Sequence, residues 1–258
     1  MNECLGKVYL VGAGPGNAAY LTLRGQQLLS QAEVLIYDAL VAPQLLQFIP
    51  PTCLKLNVGK RGGLPSTPQT QINQLLVDYC LQGKQVVRLK SGDPLIFGRA
   101  NSEIQALIEA GCDFELVPGI SSALAAPLLA GIPLTDKDLS SCFAVCSAHN
   151  PEILDWEALT RIDTLVILMG GRSLNSIIQQ LQAYGRSPSE PIAIIRRCSL
   201  RDQQILSGTL ADIVDRMEGI SLSPAVMVIG KVVNLRKMSN PQSLPLMGKT
   251  ILVTRSAE

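Results

Sequence analysis

Val8-Tyr-Leu-Val-Gly12-Ala-Gly14-Pro15-Gly16-Asn-Ala-Ala-Tyr-Leu-Thr22 sets three glycines directly after an apolar strand and before a helical segment. Glycine there admits positive φ and lets a ligand approach the backbone. A strand feeding a helix through such a turn predicts an α/β chain with a largely parallel sheet. Alone, the turn suits a dinucleotide enzyme, a class I methyltransferase or a plain tight turn. Pro15 weighs against a pyrophosphate cradle, because its ring fixes φ and removes an N–H that phosphate would use. Asp38, about twenty residues on, is the feature that would support nicotinamide binding.

Working outward, strand-length apolar runs alternate with amphipathic segments. Strands are predicted over 7–11, 34–37, 52–58, 85–89 and 114–117, and helices over 21–30, 70–81 and 103–110. In the helix at 70–81, Ile72, Leu75, Leu76 and Tyr79 share one face. Pro118-Gly119-Ile-Ser-Ser122 punctuates the chain where one βα series closes, which predicts a first domain over 1–117 and a second over 118–237. The second is expected to hold helices at 122–130 and 210–217 and strands near 142–146, 164–168, 192–195 and 225–233. A polar, proline-bearing stretch, 238–247, reads as a linker, and 248–258 as the opening strand of a third domain.

Composition narrows the function classes. The 258 residues carry a net charge of +1, so no broad basic surface serves nucleic acid or an anionic membrane, and an anionic ligand needs local charge. The longest apolar run, 122–132, is short of the roughly 20 residues that span a bilayer, and no secretion signal opens the chain. Seven cysteines without Cys-x-x-Cys spacing fit reduced thiols and a cytoplasmic location. Cys142, Cys146 and His149 fall short of a metal ligand set, and with His149 the only histidine neither a metal site nor a histidine relay is expected.

The most specific stretch is Val86-Val-Arg88-Leu-Lys90-Ser91-Gly92-Asp93-Pro94-Leu-Ile96-Phe97-Gly98-Arg99, another strand ending in a tight turn before a helix. Ligands bind at the carboxyl ends of strands in open parallel sheets, so this loop and the first glycine turn can face one crevice. Tyr37-Asp38 and Val58-Gly-Lys60-Arg61 also follow strands, putting a carboxylate and a cation at the same edge for acid and base work, or for a salt bridge.

Gly12-Ala-Gly-Pro-Gly16, Tyr37-Asp38-x-Leu-Val41, Val58-Gly-Lys60-Arg61, Arg88-Leu-Lys-x-Gly-Asp-Pro-x-Ile-Phe-Gly-Arg99, Val117-Pro-Gly-Ile-Ser-Ser122, Ala130-Gly-Ile-Pro-Leu-Thr135 and Leu168-Met169-Gly170 occur in this order. Together they resemble the tetrapyrrole methylase family, and within it the uroporphyrinogen-III C-methyltransferase branch, over about Gly6 to Lys237. The resemblance implies two α/β domains with the active site in the cleft between them, and a homodimer. It implies S-adenosylmethionine as methyl donor, S-adenosylhomocysteine as product, and methylation of uroporphyrinogen III at carbons 2 and 7 to give precorrin-2, for sirohaem or cobalamin. By position, cofactor contacts fall on Pro15, Ser91, Gly92, Asp93, Ile96, Ser121, Ser122, Met169 and Cys198. Asp38 falls where a proton acceptor stands and Lys60 where a donor stands, while Arg61, Arg88, Lys90 and Arg99 are candidates for holding substrate carboxylates.

Ser91, Leu95, Ala100, Ala148 and Cys198 depart from the family's residues; Ser91 and Cys198 replace glycines beside the expected cofactor. The segment from Pro245 to Arg255 resembles the opening of uroporphyrinogen-III synthase, which implies a fusion. A nicotinamide-dependent reductase and a non-catalytic tetrapyrrole carrier are the competing readings; the first leaves the Gly-Asp-Pro loop and Met169 without a role.

Overall fold

The computed structural model describes residues 6–59 and 67–236. Lys60, Arg61, the linker 238–247 and the segment 248–258 therefore lie outside the described residues. The chain divides into two compact units, Met1–Ala126 and Pro127–Glu258. No helix among the described residues is long and apolar enough to cross a membrane.

In the first unit the elements are β1 Lys7–Gly12, α1 Leu23–Gln31, β2 Val34–Tyr37, β3 Leu54–Asn57, α2 Gln69–Leu81, β4 Gln85–Lys90, α3 Ala100–Glu109 and β5 Asp113–Val117, and the unit ends within α4 Ser122–Leu129. The strands form one parallel sheet in the order β3-β2-β4-β1-β5. Alternation along the strands splits the core in two, as a sheet covered on both faces requires. Val8, Leu10, Ile36 and Val86 pack with Ile72, Leu76 and Leu107 of α2 and α3, while Val11, Leu35, Val87 and Leu89 pack with Leu28 and Leu29 of α1. Arg88 and Lys90 share the parity of Val86, so both point toward the α2 and α3 side. The Thr22 hydroxyl caps α1 by accepting from the Gly25 N–H at 3.0 Å.

The second unit comprises β6 Phe143–Ser147, α5 Trp156–Thr160, β7 Thr164–Leu168, α6 Leu174–Ala183, β8 Pro191–Arg196, β9 Gln204–Thr209, α7 Ile213–Arg216 and β10 Ala225–Ile229. Its sheet runs β6-β7-β10-β8-β9. Only the β6 and β7 pair is parallel; β7 with β10, β10 with β8, and β8 with β9 are antiparallel. This departs from the largely parallel pattern expected of the sequence. Strands β8 and β9 are joined by a connection too short for a crossover, and such a link permits only antiparallel pairing. Trp156, Leu165, Ile167, Ile177, Leu181, Ile192, Ile194 and Met227 form the core on one face.

Candidate functional site

In the first unit four loops that lie wholly within the described residues leave the carboxyl ends of parallel strands: 13–22 after β1, 38–53 after β2, 91–99 after β4 and 118–121 after β5. The first and third are stitched together by backbone. Ala13 N–H donates to the Lys90 carbonyl at 2.7 Å, and Gly14 and Gly92 exchange N–H bonds at 3.1 and 2.9 Å. The fourth joins through glycine contact, since a Cβ on Gly12 would lie 2.4 Å from Gly119 Cα, and one on Gly119 would lie 2.2 Å from the Gly92 oxygen. Three backbones thus meet at a closeness no side chain allows. Asp93 locks the meeting: one carboxylate oxygen accepts from the Leu95 N–H at 2.9 Å and the other from the Gly119 N–H at 3.1 Å.

Around this junction the structure gathers Pro15, Ser91, Gly92, Asp93, Ser121 and Ser122. Gly92 is buried, and a Cβ there would touch Ser121 Cα at 3.7 Å. The Ser121 hydroxyl accepts from the Ala123 N–H at 3.3 Å at the start of α4, and Ser122 opens that helix half-buried. Beyond Asp93, Leu95, Ile96 and Phe97 are exposed apolar side chains on a loop where Phe97 and Arg99 both take left-handed φ, 55° and 57°. The Arg99 side chain is exposed.

Asp38 stands one strand away. Its Oδ1 accepts from Arg88 Nη2 at 2.5 Å and its Oδ2 faces the Ser91 N–H at 3.4 Å. Arg88 and Lys90 are not at the surface: they are 2% and 1% exposed. Arg88 Nε donates to Glu103 at 2.9 Å, and Lys90 Nζ donates to both Glu103 oxygens at 2.8 Å. Burial works against the Arg88 charge, yet Asp38 and Glu103 hold its pKa above the ordinary arginine value. For Lys90, burial and then the neighbouring Arg88 outweigh Glu103 and bring it below the ordinary lysine value. The expectation that Arg88 and Lys90 grip substrate carboxylates is corrected accordingly, because both side chains are buried and their charges are engaged by the buried Glu103 and, for Arg88, by the partly exposed Asp38. Glu103 escaped the sequence reading, although the shared parity of Val86, Arg88 and Lys90 pointed two cations at the helical layer and so required a buried acid there.

The second unit carries a cluster of its own. Met169 follows β7 with φ 57° and an exposed side chain. Cys198 follows β8 between Arg197 and Ser199, whose φ values are 49° and 66°. Ala225 opposes Arg196 and Val226 opposes Leu168, so the start of β10 lies at the same sheet edge, and Arg197 N–H donates to the Pro224 carbonyl at 3.2 Å. Burial pushes the Cys198 thiol up to about 12, so it stays protonated and is no nucleophile. Among the described residues, the non-glycine positions with positive φ are Phe97, Arg99, Met169, Arg197 and Ser199, and all fall on these two loop clusters. Left-handed backbone costs about 1–3 kcal/mol per residue and collects at ligand sites.

A parallel sheet with backbone-built loops at its carboxyl edge, followed by a mixed sheet with left-handed positions in its edge loops, defines a two-unit α/β protein. The tetrapyrrole (corrin/porphyrin) methylase family matches residues 7–214, and the chain belongs to that family. Uroporphyrinogen-III C-methyltransferase of Synechococcus elongatus is 55% identical over 232 residues, 90% of this chain and 96% of that one. The Bacillus subtilis protein of the same name is 44% identical over 260 residues, 98% of this chain and 54% of its own length. Among solved structures, uroporphyrin-III C-methyltransferase of Thermus thermophilus complexed with S-adenyl homocysteine superposes with a TM-score of 0.78 at 35% identity, over 89% of this chain and 100% of that one. Membership resolves the alternatives that the glycine turn left open.

Proposed function

We propose that this chain transfers methyl groups from S-adenosylmethionine to carbons 2 and 7 of uroporphyrinogen III, giving precorrin-2 and S-adenosylhomocysteine on the way to sirohaem or cobalamin. The observation that carries this reading is 55% identity along 96% of the Synechococcus elongatus methyltransferase.

The residues present fit the methyl donor. At Gly12 and Gly119 backbone approaches backbone with no room for side chains between, Gly92 takes a φ of 70°, and the flanking Pro15, Ser91, Ser121 and Ser122 are uncharged. Such a cradle would offer carbonyls, amides and hydroxyls to an amino acid and a nucleoside. Pro15, Ser91, Gly92, Asp93, Ile96, Ser121 and Ser122 are the proposed cofactor contacts of the first unit; for Met169 and Cys198 the support is the resemblance alone. When bound, the sulfonium supplies an activated methyl group, so the chain needs no covalent nucleophile.

What remains for the protein is alignment, exclusion of water and movement of a proton. Attack by a pyrrole carbon forms the C–C bond, breaks the S–CH3 bond and leaves the ring cationic until it gives up a proton. Asp38 is the proposed acceptor: one carboxylate oxygen is tied to Arg88, and the other faces the Ser91 N–H at 3.4 Å, beside the glycine junction. Lys60 is the proposed donor, and Arg61 and the exposed Arg99 take over the proposed hold on substrate carboxylates that Arg88 and Lys90 cannot provide. The proposed assembly is a homodimer in the cytoplasm. Anaerobic incubation with methyl-labelled S-adenosylmethionine and uroporphyrinogen III tests the function. Label is expected in the tetrapyrrole; label left wholly on the donor overturns it.

A further inference from the structure

Glu103 is the most deeply buried acid in the described chain, 0% exposed, and it sits in the first turn of α3 rather than on any ligand loop. It accepts from Arg88 Nε, from Lys90 Nζ through both oxygens, and from the Gln69 amide at 3.3 Å. Arg88 in turn spans two environments. Its Nε is held by Glu103, its Nη1 lies 3.4 Å from the carbonyls of Ile36 and Leu89, and its Nη2 reaches Asp38, whose side chain is 32% exposed. Every nitrogen of the guanidinium has a partner, so the planar fork cannot rotate without breaking a buried contact.

We propose that Glu103 is a positioning residue for methyl transfer: acting through Arg88, it fixes where the Asp38 carboxylate stands at the edge of the sheet. The physical reason lies in the cost of the arrangement. A buried group of this kind contributes little stability compared with well-packed apolar residues, because desolvating the ions offsets their attraction. Here it places rigid charge behind one solvent-facing carboxylate, at the strand ends from which the glycine loops emerge. Arg88 Nη2 holds Oδ1, which leaves Oδ2 turned toward the Ser91 N–H. Without Glu103 the Arg88 side chain would lose its only fixed carboxylate inside the core and follow Asp38 instead of directing it. Arg88 pairs with Asp38 and Lys90 feels its charge, both from β4, while Glu103 on α3 engages the same two cations.

The inference rests on Asp38 being the proton acceptor, and a double-substitution cycle in the full chain separates the two claims. Glu103→Gln keeps the shape and an acceptor for Arg88 while removing the charge. It is expected to lower kcat about tenfold to hundredfold, since a small displacement of a catalytic group has effects of that order, and to leave KM for S-adenosylmethionine within about twofold. In an Asp38→Asn background the same substitution is expected to add no further loss, because Glu103 acts only through Asp38. If Glu103→Gln alone does not fold, Glu103→Gln with Lys90→Met, which removes one buried charge of each sign, takes its place in the cycle. Equal losses of kcat with and without Asp38, or a rise in KM that accounts for the whole effect, overturn the positioning role. Wild-type turnover by Asp38→Asn overturns the proton-acceptor reading itself.

Discussion

At the scale of single residues, the glycine junction is the most exacting feature. A methyl group on Gly119 would sit 2.2 Å from the Gly92 oxygen and 2.6 Å from Gly12 Cα, both backbone atoms that cannot swing aside. Gly119→Ala must therefore part the loops that follow β1, β4 and β5. Calorimetric titration with S-adenosylhomocysteine is expected to show affinity at least about tenfold weaker, close to 1.4 kcal/mol. Unchanged affinity would show that the junction does not shape the cofactor cradle. Asp38→Asn keeps the hydrogen bond to Arg88 but cannot take a proton; turnover is expected to fall about 10²-fold or more, the usual worth of a general base. Continuous assay of S-adenosylhomocysteine release checks this, and a variant as fast as wild type would remove Asp38 from the chemistry. The motifs made Gly12, Gly92 and Asp38 visible in the sequence; the parity of Arg88 and Lys90 called for a buried acid without saying which, because Glu103 lies beyond the tight turn and only the fold brings it to β4.

Among elements, α2 and β2 are the clearest cases of sequence dictating structure. Ile72, Leu76 and Cys80 recur at helical spacing and are buried, and β2 spans Val34–Tyr37 as its apolar run predicts. Helix α3 begins at Ala100 rather than at residue 103, because left-handed Phe97 and Arg99 complete the turn earlier than the apolar pattern announces. Three elements of the second unit, α5, α6 and β9, go beyond the sequence expectation. Helix α6 carries Leu174, Ile177, Ile178 and Leu181 at ideal helical spacing, a signal present but unread. Strand β9, Gln-Ile-Leu-Ser-Gly-Thr, has a glycine inside and only intermediate burial, so its edge position comes from pairing with β8 and not from its composition. The element-scale prediction concerns the contact between β4 and α3. Removing the Arg88 charge with Arg88→Met leaves Asp38 and Glu103 without their shared partner, and unfolding in urea is expected to show a loss of about 3–5 kcal/mol. Glu103→Gln with Lys90→Met, which keeps the buried charge balanced, is expected to cost clearly less. A double variant as unstable as Arg88→Met would contradict this view of the network.

For the whole molecule, acid stability follows from carboxylates outside the site. Glu33, Asp163 and Asp212 are held below the usual carboxylate range chiefly by backbone N–H groups of Gln85, Ser141 and Thr209, and Glu115 and Asp202 chiefly by Arg24 and Arg197. A folded pKa below the unfolded one gives stability that is complete above the unfolded value and is lost as pH falls through the folded value. Thermal melts are expected to hold steady from neutral pH to about 4.5 and to decline below it. A decline that starts near neutrality would contradict the assignment. The α/β alternation of the chain was legible because most of the strands are short apolar runs closed by a turn. The mixed pairing of the second sheet was not, since strand direction depends on which strands become neighbours, and β10 enters between β7 and β8 from far along the chain.

The proposed activity adds methyl groups to carbon on a tetrapyrrole, and does so twice. Mass spectrometry of the tetrapyrrole, after anaerobic reaction of uroporphyrinogen III with excess S-adenosylmethionine and the full chain, tests it most directly. The expected product carries two added methyl groups, with two S-adenosylhomocysteine released for each tetrapyrrole. A tetrapyrrole of unchanged mass, or one that stops at a single methyl group with donor still in excess, would contradict it.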